Sequence, residues 1–323
     1  MMAAGTFLAA RPLLTGLIDD ERQYKLTVLH TNDVHSRIDP FPMDGGSNQG
    51  LGGVAARAAI IEKIRREEEN VLLLDAGDIF QGTPYFNFYK GEPEIKAMSS
   101  MKYDATTIGN HDFDAGLENL ATQLTSHATF PMLVANYDFS GTPMEYRSQP
   151  YKIFKKGKIK IGVFGVGIEM AGLVSENLSA GTKFLDPVVK GNEMAYKLKN
   201  EKDCDLVICL SHLGNAYSDN KVSDKRLATE SENIDLIIGG HTHTFLQAPI
   251  VYKNKKGDDV LVNQVGWAGI NLGRLDFNFA KYAKKKLSQA SSIMVTKKQR
   301  NKNFLLEKIF RYSSSCEKFL MSL

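Results

Sequence analysis

The stretch KLTVLHTNDVH (residues 25–35) starts as a β-strand and ends as a polar cluster. Its first six residues include β-branched and leucine side chains without strict apolar–polar alternation, which is typical of a strand covered on both faces. Asp33 and His35 follow shortly after, and their side chains carry donor atoms that suit a metal ion. A buried strand that delivers such residues at its carboxyl end indicates an open α/β sheet with a ligand site along that edge.

Further apolar runs follow at intervals and alternate with stretches of helical spacing. Strands are predicted over 71–74, 105–108, 132–135, 159–165, 206–210 and 236–238, and helices over 54–69, 95–101 and 117–126. The last two runs, 260–265 and 272–279, are predicted to pair with each other after a turn at 254–258. Repeated β-α-β units without a long linker indicate one α/β domain whose sheets are covered by helices.

Five polar clusters directly follow five of these strands, and together they contain six of the seven histidines. One such cluster by itself is a common surface turn, whereas five at the carboxyl ends of strands predict a shared metal site. Carboxylate, imidazole and amide donors without thiolate favour Mn²⁺, Zn²⁺ or Fe and argue against a structural zinc site. The clusters are HTNDVH (30–35), DAGD (75–78), GNHD (109–112), SH (211–212) and GGHTH (239–243).

Two of the clusters hold a pair of candidate ligands separated by one residue. In an extended backbone the outer side chains of the triplets 33–35 and 241–243 point the same way, so each triplet can supply two ligands. Asp78 is the natural bridge between two cations, because its carboxylate has two oxygens. Two metals about 3.5–4 Å apart are the usual device for polarising a phosphoryl group and activating water.

In their order along the chain, HTNDVH, DAGD, GNHDFD, SHLG and GGHTH resemble the calcineurin-like metallophosphoesterases. More narrowly, they are similar to the catalytic domain of bacterial 5′-nucleotidases and UDP-sugar hydrolases. The resemblance implies a two-sheet α/β/β/α sandwich over residues 24–280 and two divalent metal ions. It implies that His111 donates to the phosphoryl oxygen or the leaving group and that Asp114 orients His111. The implied ligands are Asp33, His35, Asp78 and His243 for the first metal, and Asp78, Asn110, His212 and His241 for the second.

The implied reaction releases phosphate from nucleoside 5′-monophosphates or related nucleotides by attack of a metal-bound hydroxide. Full-length 5′-nucleotidases add a C-terminal domain that contacts the nucleoside, and too few residues follow Phe279 to form one. A separate polypeptide could supply that domain, or the substrate could be a simple phosphoester, a cyclic nucleotide, a UDP-sugar or another non-nucleotide. A non-catalytic metal-binding subunit that docks a partner is a further alternative, and the His111–Asp114 pair argues against it.

Several residues near the clusters are expected to support the site rather than bind metal. Asp75 and Asp112 are expected to orient ligands through hydrogen bonds or to cap turns. His30 is expected to pack in the core or to contact a ligand residue without binding the metal. Asn136 matches a family position near the site. Gly82 is expected to provide a tight turn beside Asp78.

The composition excludes several classes of protein. Apolar residues make up 43% of the chain and charged residues 24%, which excludes a disordered protein, a fibre and a multi-span membrane protein. Cys204, Cys209 and Cys316 form no CxxC pair, so a disulfide scaffold is not expected. Residues 1–280 carry 35 acidic and 29 basic side chains, and this mildly acidic body argues against nucleic-acid binding and against a nuclease.

The two ends of the chain differ from this body. Residues 1–18 are small and apolar, and they resemble the hydrophobic part of an export signal without its basic start. They are too short and too often broken to span a bilayer. Residues 1–23 are therefore interpreted as the remnant of an export signal or as a disordered segment, in a periplasmic or exported protein. Residues 281–323 hold eleven Lys and Arg against two acidic residues and are predicted to form a solvated basic tail.

Overall fold

Strands from both halves of the chain form two stacked sheets, and helices cover the outer face of each sheet. The computed structural model describes residues 24–279 and 286–296. The strands are β1 (Tyr24–Thr31), β2 (Val71–Asp75), β3 (Ala105–Thr106), β4 (Met132–Leu133), β5 (Tyr137–Asp138), β6 (Ser148–Gln149), β7 (Tyr151–Lys156), β8 (Ile159–Gly167), β9 (Lys183–Phe184), β10 (Leu206–His212), β11 (Leu236–Gly239), β12 (Ile250–Lys253), β13 (Asp259–Asn263), β14 (Asn271–Phe279) and β15 (Lys286–Met294).

The first sheet contains seven strands in the order β15-β14-β1-β2-β3-β4-β6. In this sheet β1, β2, β3, β4 and β6 run parallel, and β14 is antiparallel to both β1 and β15. The second sheet contains six strands in the order β12-β13-β11-β10-β8-β7, and its four inner strands run parallel. Strands β5 and β9 form a separate antiparallel pair. The parallel strands end at a common edge, which is where the polar clusters emerge.

Among the described residues, six α-helices accompany these strands, and shorter helical turns cover 111–113, 176–178 and 197–201. Helices α1, α3 and α4 pack on the outer face of the first sheet through side chains such as Ile61, Ile95 and Leu120. Helices α5 and α6 cover the second sheet through Ala195 and Leu227. The helices are α1 (Val54–Glu67), α2 (Pro84–Tyr89), α3 (Glu92–Ser100), α4 (Gly116–His127), α5 (Pro187–Tyr196) and α6 (Asp224–Glu230).

A third apolar layer fills the space between the two sheets. Val28 and Leu72 of the first sheet face Val163 and Ile208 of the second, and all four are fully buried. Full burial of one such side chain stabilises the fold by roughly 1.5–3 kcal/mol. Both faces of the central strands are therefore apolar, which explains their unalternating sequences. The expected α/β/β/α sandwich is confirmed.

Two sequence-based expectations about the last strands are wrong. The runs 260–265 and 272–279 do not pair with each other, because β13 joins the second sheet whereas β14 joins the first. The turn at 254–258 instead links β12 to β13 in a hairpin. Residues 286–296 are not a solvated tail: β15 pairs along β14, and Val295 is fully buried in the core. Basic residues on either side of this strand obscured its pattern.

The remaining expectations about the ends concern residues 1–23, 280–285 and 297–323, which lie outside the described residues. Within 24–279 and 286–296, no helix combines the length and the apolar character needed to cross a bilayer.

Candidate metal centre

The loops that follow β1 and β2 lie side by side at the carboxyl edge of the first sheet. The backbone N–H of Asp33 donates to the carbonyl of Gly77 at 2.9 Å, and that of His35 donates to the carbonyl of Asp78 at 3.1 Å. The loop after β11, in the second sheet, joins them, since the N–H of His241 donates to both carboxylate oxygens of Asp33 at 3.0 Å. Polar residues from both sheets therefore meet at one place.

Two groups of three potential metal ligands form there. Asp33, His35 and His243 make up the first group, and Asp78, His212 and His241 make up the second; within each group one ligand atom of every residue lies within 4.8 Å of the others. The side-chain oxygen of Asn110 lies 2.8 Å from Nδ1 of His241 and so extends the second group. The structure thus brings together all seven residues that the resemblance implies as ligands.

Asp78 lies between the two groups. Its Oδ2 is 3.1 Å from Nε2 of His212 in the second group and 3.8 Å from Nε2 of His35 in the first. Its Oδ1 accepts a hydrogen bond from the backbone N–H of His111 at 2.8 Å, which fixes the carboxylate plane. This placement matches a carboxylate that two cations share.

The backbone is left-handed rather than extended at five of the seven candidate ligands. Its φ angle is 49° at Asp33, 45° at His35, 54° at Asp78, 73° at His241 and 51° at His243. The extended backbone on which the predicted alignment of each ligand pair depends is therefore not found in either triplet, although Asp33 and His35 do lie in the same group. His241 and His243 instead turn toward different groups. Such conformations cost about 1–3 kcal/mol each in non-glycine residues and persist only where the surroundings impose them.

Electrostatics at His212 indicate that this position favours a positive charge. The carbonyl of Ala76 accepts a hydrogen bond from Nδ1 of His212 at 2.7 Å, so Nε2 points at the carboxylates. Among the described residues, Nε2 has no hydrogen-bond partner. Burial alone would lower the pKa of His212, yet Asp78 and Asp33 raise it to about 10. A divalent cation between Nε2 and these carboxylates would supply the positive charge and give Nε2 a partner, so the residues fit a metal.

Three other candidate ligands have the protonation state that metal binding requires. Burial lowers the pKa of His35 and lowers that of His241 to about 4, which keeps both imidazoles neutral. Burial alone would raise the pKa of Asp78, but His212 and His35 hold it below its ordinary value. His35 and His241 thus offer neutral nitrogen donors, and Asp78 offers ionised oxygen donors.

His111 stands beside these groups on the open side of the site. Its Nδ1 lies 2.8 Å from Oδ2 of Asp114, and its ring meets that of His35 edge-on with 5.3 Å between centroids. The hydrogen bond to Asp114 raises the pKa of His111 above its ordinary value. Both side chains are partly exposed. The pair can therefore hold a proton where a ligand enters.

Comparison with known proteins identifies the family. Residues 26–245 match the model of the calcineurin-like phosphoesterases. The chain belongs to this family. It is 38% identical to the snake venom 5′-nucleotidase of Crotalus adamanteus over 79% of this chain and 45% of that protein. It is 34% identical to the 5′-nucleotidase of Homo sapiens over 79% of this chain and 47% of that protein.

A solved structure gives the same picture. The crystal structure of a 5′-nucleotidase precursor from Thermus thermophilus superposes with a TM-score of 0.81 at 30% identity, covering 93% of this chain and 60% of that one. The chain spans about half the length of the curated relatives it matches.

In the phosphoesterase site, Asp112 organises the backbone rather than binding metal. Its Oδ1 accepts the backbone N–H groups of Ile79 and Phe80, and its Oδ2 accepts those of Asp78 and Gly109, at 2.8–3.2 Å. Four accepted N–H groups fix the loop that carries Asp78 against the loop that carries Asn110. This matches the expectation that Asp112 orients ligands.

Asp75 has a similar role one layer deeper in the phosphoesterase fold. Its carboxylate accepts hydrogen bonds from the hydroxyls of Thr31 and Thr106 and from the N–H of Gly77. These contacts join β1, β2 and β3 where the ligand loops begin. Burial raises the pKa of Asp75 to about 6.

Two of the other supporting residues, Asn136 and His30, join the two sheets, and Gly82 lies against His35. Asn136 exchanges two hydrogen bonds of 2.8 Å with the backbone of Gly167, which ties the loop after β4 to the end of β8. His30 is fully buried, and its Nε2 lies 2.8 Å from Nδ2 of Asn263 on the opposite sheet. Gly82 has a φ of +109°, and a Cβ there would lie 3.0 Å from His35. All three act through structure and lie outside the ligand groups.

Sequence reasoning did not assign a role to Gln264 or to Asn32. Gln264 holds both ends of the loop around His241, because its amide donates to the carbonyl of Gly240 and its oxygen accepts the N–H of Thr244. Asn32 donates to the carboxylate of Asp33 at 2.7 Å. The signals available were an amide directly beside a ligand and a glutamine at the end of a predicted strand.

Proposed function

We propose that the chain is a dinuclear metal-dependent hydrolase that releases phosphate from nucleoside 5′-monophosphates or related nucleotides. The observation that carries this proposal is the carboxylate of Asp78 between two Asp/His groups, next to the His111–Asp114 pair. The family supports the reaction class, and the names of the similar 5′-nucleotidases support the substrate class.

Each metal has a set of oxygen and nitrogen donors. These donors contain no thiolate, which favours Mn²⁺, Zn²⁺ or Fe. The carboxylates of Asp33 and Asp78 offset part of the charge of two divalent cations. The first metal is assigned to Asp33, His35, Asp78 and His243, and the second to Asp78, Asn110, His212 and His241.

Divalent cations bound here polarise a phosphoryl group and lower the pKa of a coordinated water. His111 is positioned to donate a proton to a phosphoryl or leaving-group oxygen from the open side of the site. Asp114 orients the imidazole through Nδ1 and keeps it protonated to higher pH. The negative charges of Asp33 and Asp78 repel a phosphate, so phosphate binding depends on the metals.

The catalytic domain extends beyond the expected boundary at residue 280. Strand β15 completes the first sheet next to β14, and Val295 belongs to its apolar core. We assign the domain to residues 24–296. An exported or periplasmic location is also part of the proposal, supported by the apolar residues 1–18 and by similarity to a venom protein.

Phosphate release from AMP by the purified chain with added Mn²⁺ tests the proposal. We expect release by the wild type and a loss of roughly 10²–10⁴-fold in His111→Ala. A cyclic nucleotide, a UDP-sugar and a simple aryl phosphate, tested in parallel, identify the preferred substrate. Absence of release from every substrate by a folded, metal-loaded sample would contradict the assigned activity of this chain. Activity restored by a second polypeptide would then support the alternative of a separate substrate-binding partner.

A further inference from the structure

The single tryptophan of the chain, Trp267, lies flat against a candidate metal ligand. Its ring stacks on the imidazole of His243 with 5.7 Å between centroids and 5° between planes. Phe41 meets Trp267 edge-on with 5.8 Å between ring centroids, and the guanidinium of Arg37 lies 3.9 Å from the centroid of the Phe41 ring. A continuous series of ring contacts therefore connects Arg37 to the first group of candidate ligands.

The backbone on both sides of Trp267 is tied to the same group. The N–H of Ala268 donates to the carbonyl of Asp33 at 2.7 Å, and the N–H of Gly266 donates to the carbonyl of Thr244 at 2.9 Å. One bond reaches a member of the first group, and the other reaches the residue after His243. These bonds thus hold the indole beside the first ligand group, where it contacts His243.

His243 lacks a support that two other candidate-ligand histidines have. Metal-binding histidines are usually oriented by a hydrogen bond from the second ring nitrogen. Nδ1 of His212 has the Ala76 carbonyl at 2.7 Å, and Nδ1 of His35 has the Phe80 carbonyl at 3.3 Å. Among residues 24–279 and 286–296, Nδ1 of His243 makes no such bond, and its side chain is 39% exposed. The flat face of Trp267 takes the place of the missing hydrogen bond.

We propose that Trp267 is a positioning residue for the first metal, because its stack fixes the plane of the His243 imidazole and aims Nε2 at Asp33 and His35. This inference rests on the proposed function, in which these three residues hold a metal. Loss of the stack is expected to weaken metal binding at the first group about tenfold, with the second group unchanged.

Titration of chelator-treated protein with Mn²⁺ tests this, with free Mn²⁺ measured by electron paramagnetic resonance. Trp267→Leu keeps an apolar side chain but removes the flat face, whereas Trp267→Phe keeps a ring that can stack. Asn110→Ala, which removes a ligand of the second group alone, identifies the binding step that belongs to that group. We expect Trp267→Leu to weaken the other step about tenfold and Trp267→Phe to restore it to within about threefold.

Tryptophan fluorescence supplies an independent reading, since all of it comes from Trp267 in the wild type. In the wild type, the emission is expected to change during the Mn²⁺-binding step that Trp267→Leu weakens. In His243→Ala, the emission is expected to stay constant during that step. Wild-type affinity for both metals in Trp267→Leu, or equal weakening of both steps together with a lower melting temperature, would overturn the positioning role and leave the hydrolase proposal intact. A wild type that binds no divalent metal would overturn both.

Discussion

The Nε2 atoms of His35 and His243 lie 3.0 Å apart, although 208 residues separate the two histidines in the sequence. Two imidazole nitrogens this close need a proton or a cation between them, because two facing lone pairs repel each other. His35 follows β1 of the first sheet, and His243 follows β11 of the second. The candidate site therefore forms where the two halves of the sandwich meet, and a cation bound there would connect them.

Metal removal is expected to destabilise the fold for this reason. A metal present at 100 times its dissociation constant stabilises the native state by about 2.7 kcal/mol. Treatment with a chelator should therefore lower the midpoint of urea denaturation, and added Mn²⁺ should restore it. In Asp78→Asn the midpoint should respond little to either treatment. An equal response in this variant would show that the metal acts elsewhere.

The roles of Asp78 and His111 are separable by experiment. Asp78→Asn removes the shared charge and is expected to lower metal content and turnover together. His111→Ala is expected to keep both metals while turnover falls by roughly 10²–10⁴-fold. Metal analysis of the two purified variants, beside their rates of phosphate release, measures the difference. Loss of metal from His111→Ala would show that this histidine is a ligand instead.

The carboxylate of Asp112 is expected to be a stability determinant. Asp112→Asn replaces one of the two oxygens by an amide nitrogen that faces backbone N–H groups, so two of the four hydrogen bonds are lost. The free energy of unfolding should fall by roughly 2–4 kcal/mol. Asp114→Asn provides the control, since its partly exposed side chain should change stability by less than about 0.5 kcal/mol. Urea unfolding of both variants decides the point.

Strand β15 offers a matched pair of substitutions. Val295 is fully buried directly after the strand, whereas Met294 is 55% exposed. Val295→Ala is expected to lower the free energy of unfolding by about 2 kcal/mol, and Met294→Ala by less than about 0.5 kcal/mol. Similar small effects of both substitutions would mean that this part of the chain does not pack on the first sheet.

His30 is expected to make the fold sensitive to acid. Burial lowers the pKa of His30 from 6.5 to about 3, so the unfolded chain binds a proton that the folded chain excludes. Because of this difference, the free energy of unfolding is at its full value above about pH 6.5 and decreases as the pH falls toward 3. At pH 4.5 the loss amounts to about 2–3 kcal/mol.

Replacement by glutamine isolates this effect, because an amide can still bond Asn263 but does not titrate. The difference in unfolding free energy between pH 7 and pH 4.5 should be about 2–3 kcal/mol smaller in His30→Gln than in the wild type. Equal differences in the two proteins would show that His30 is protonated in the folded state.

Much of the candidate site can be predicted from sequence because parallel strands end at one edge. Polar residues directly after β1 and β2 were expected to lie close together once those runs were interpreted as parallel strands of one sheet. The local pattern could not show which sheet each strand joins. Residues 260–265 and 272–279 are both good strands, and only tertiary packing places β13 and β14 in different sheets.

The backbone conformation of the ligands could not be predicted for a different reason. Aspartate and histidine visit the left-handed region far less often than glycine does. Nothing in Asp33 or His243 signals a positive φ, since the surrounding loops impose it. Likewise, the role of Trp267 depends on a contact with His243 that only the folded chain creates.

The antiparallel pairing of β1 with β14 determines when this protein can finish folding. β1 leaves the ribosome long before β14, and seven of its residues, from Tyr24 to His30, pair with that later strand. At 5–20 residues per second, the edge of β1 stays open for roughly 10–50 s before β14 is synthesised. An open strand edge is prone to aggregation. A fragment restricted to residues 26–245, although it carries every candidate ligand, would leave that edge of β1 unpaired, so an expressible domain has to continue at least through β14.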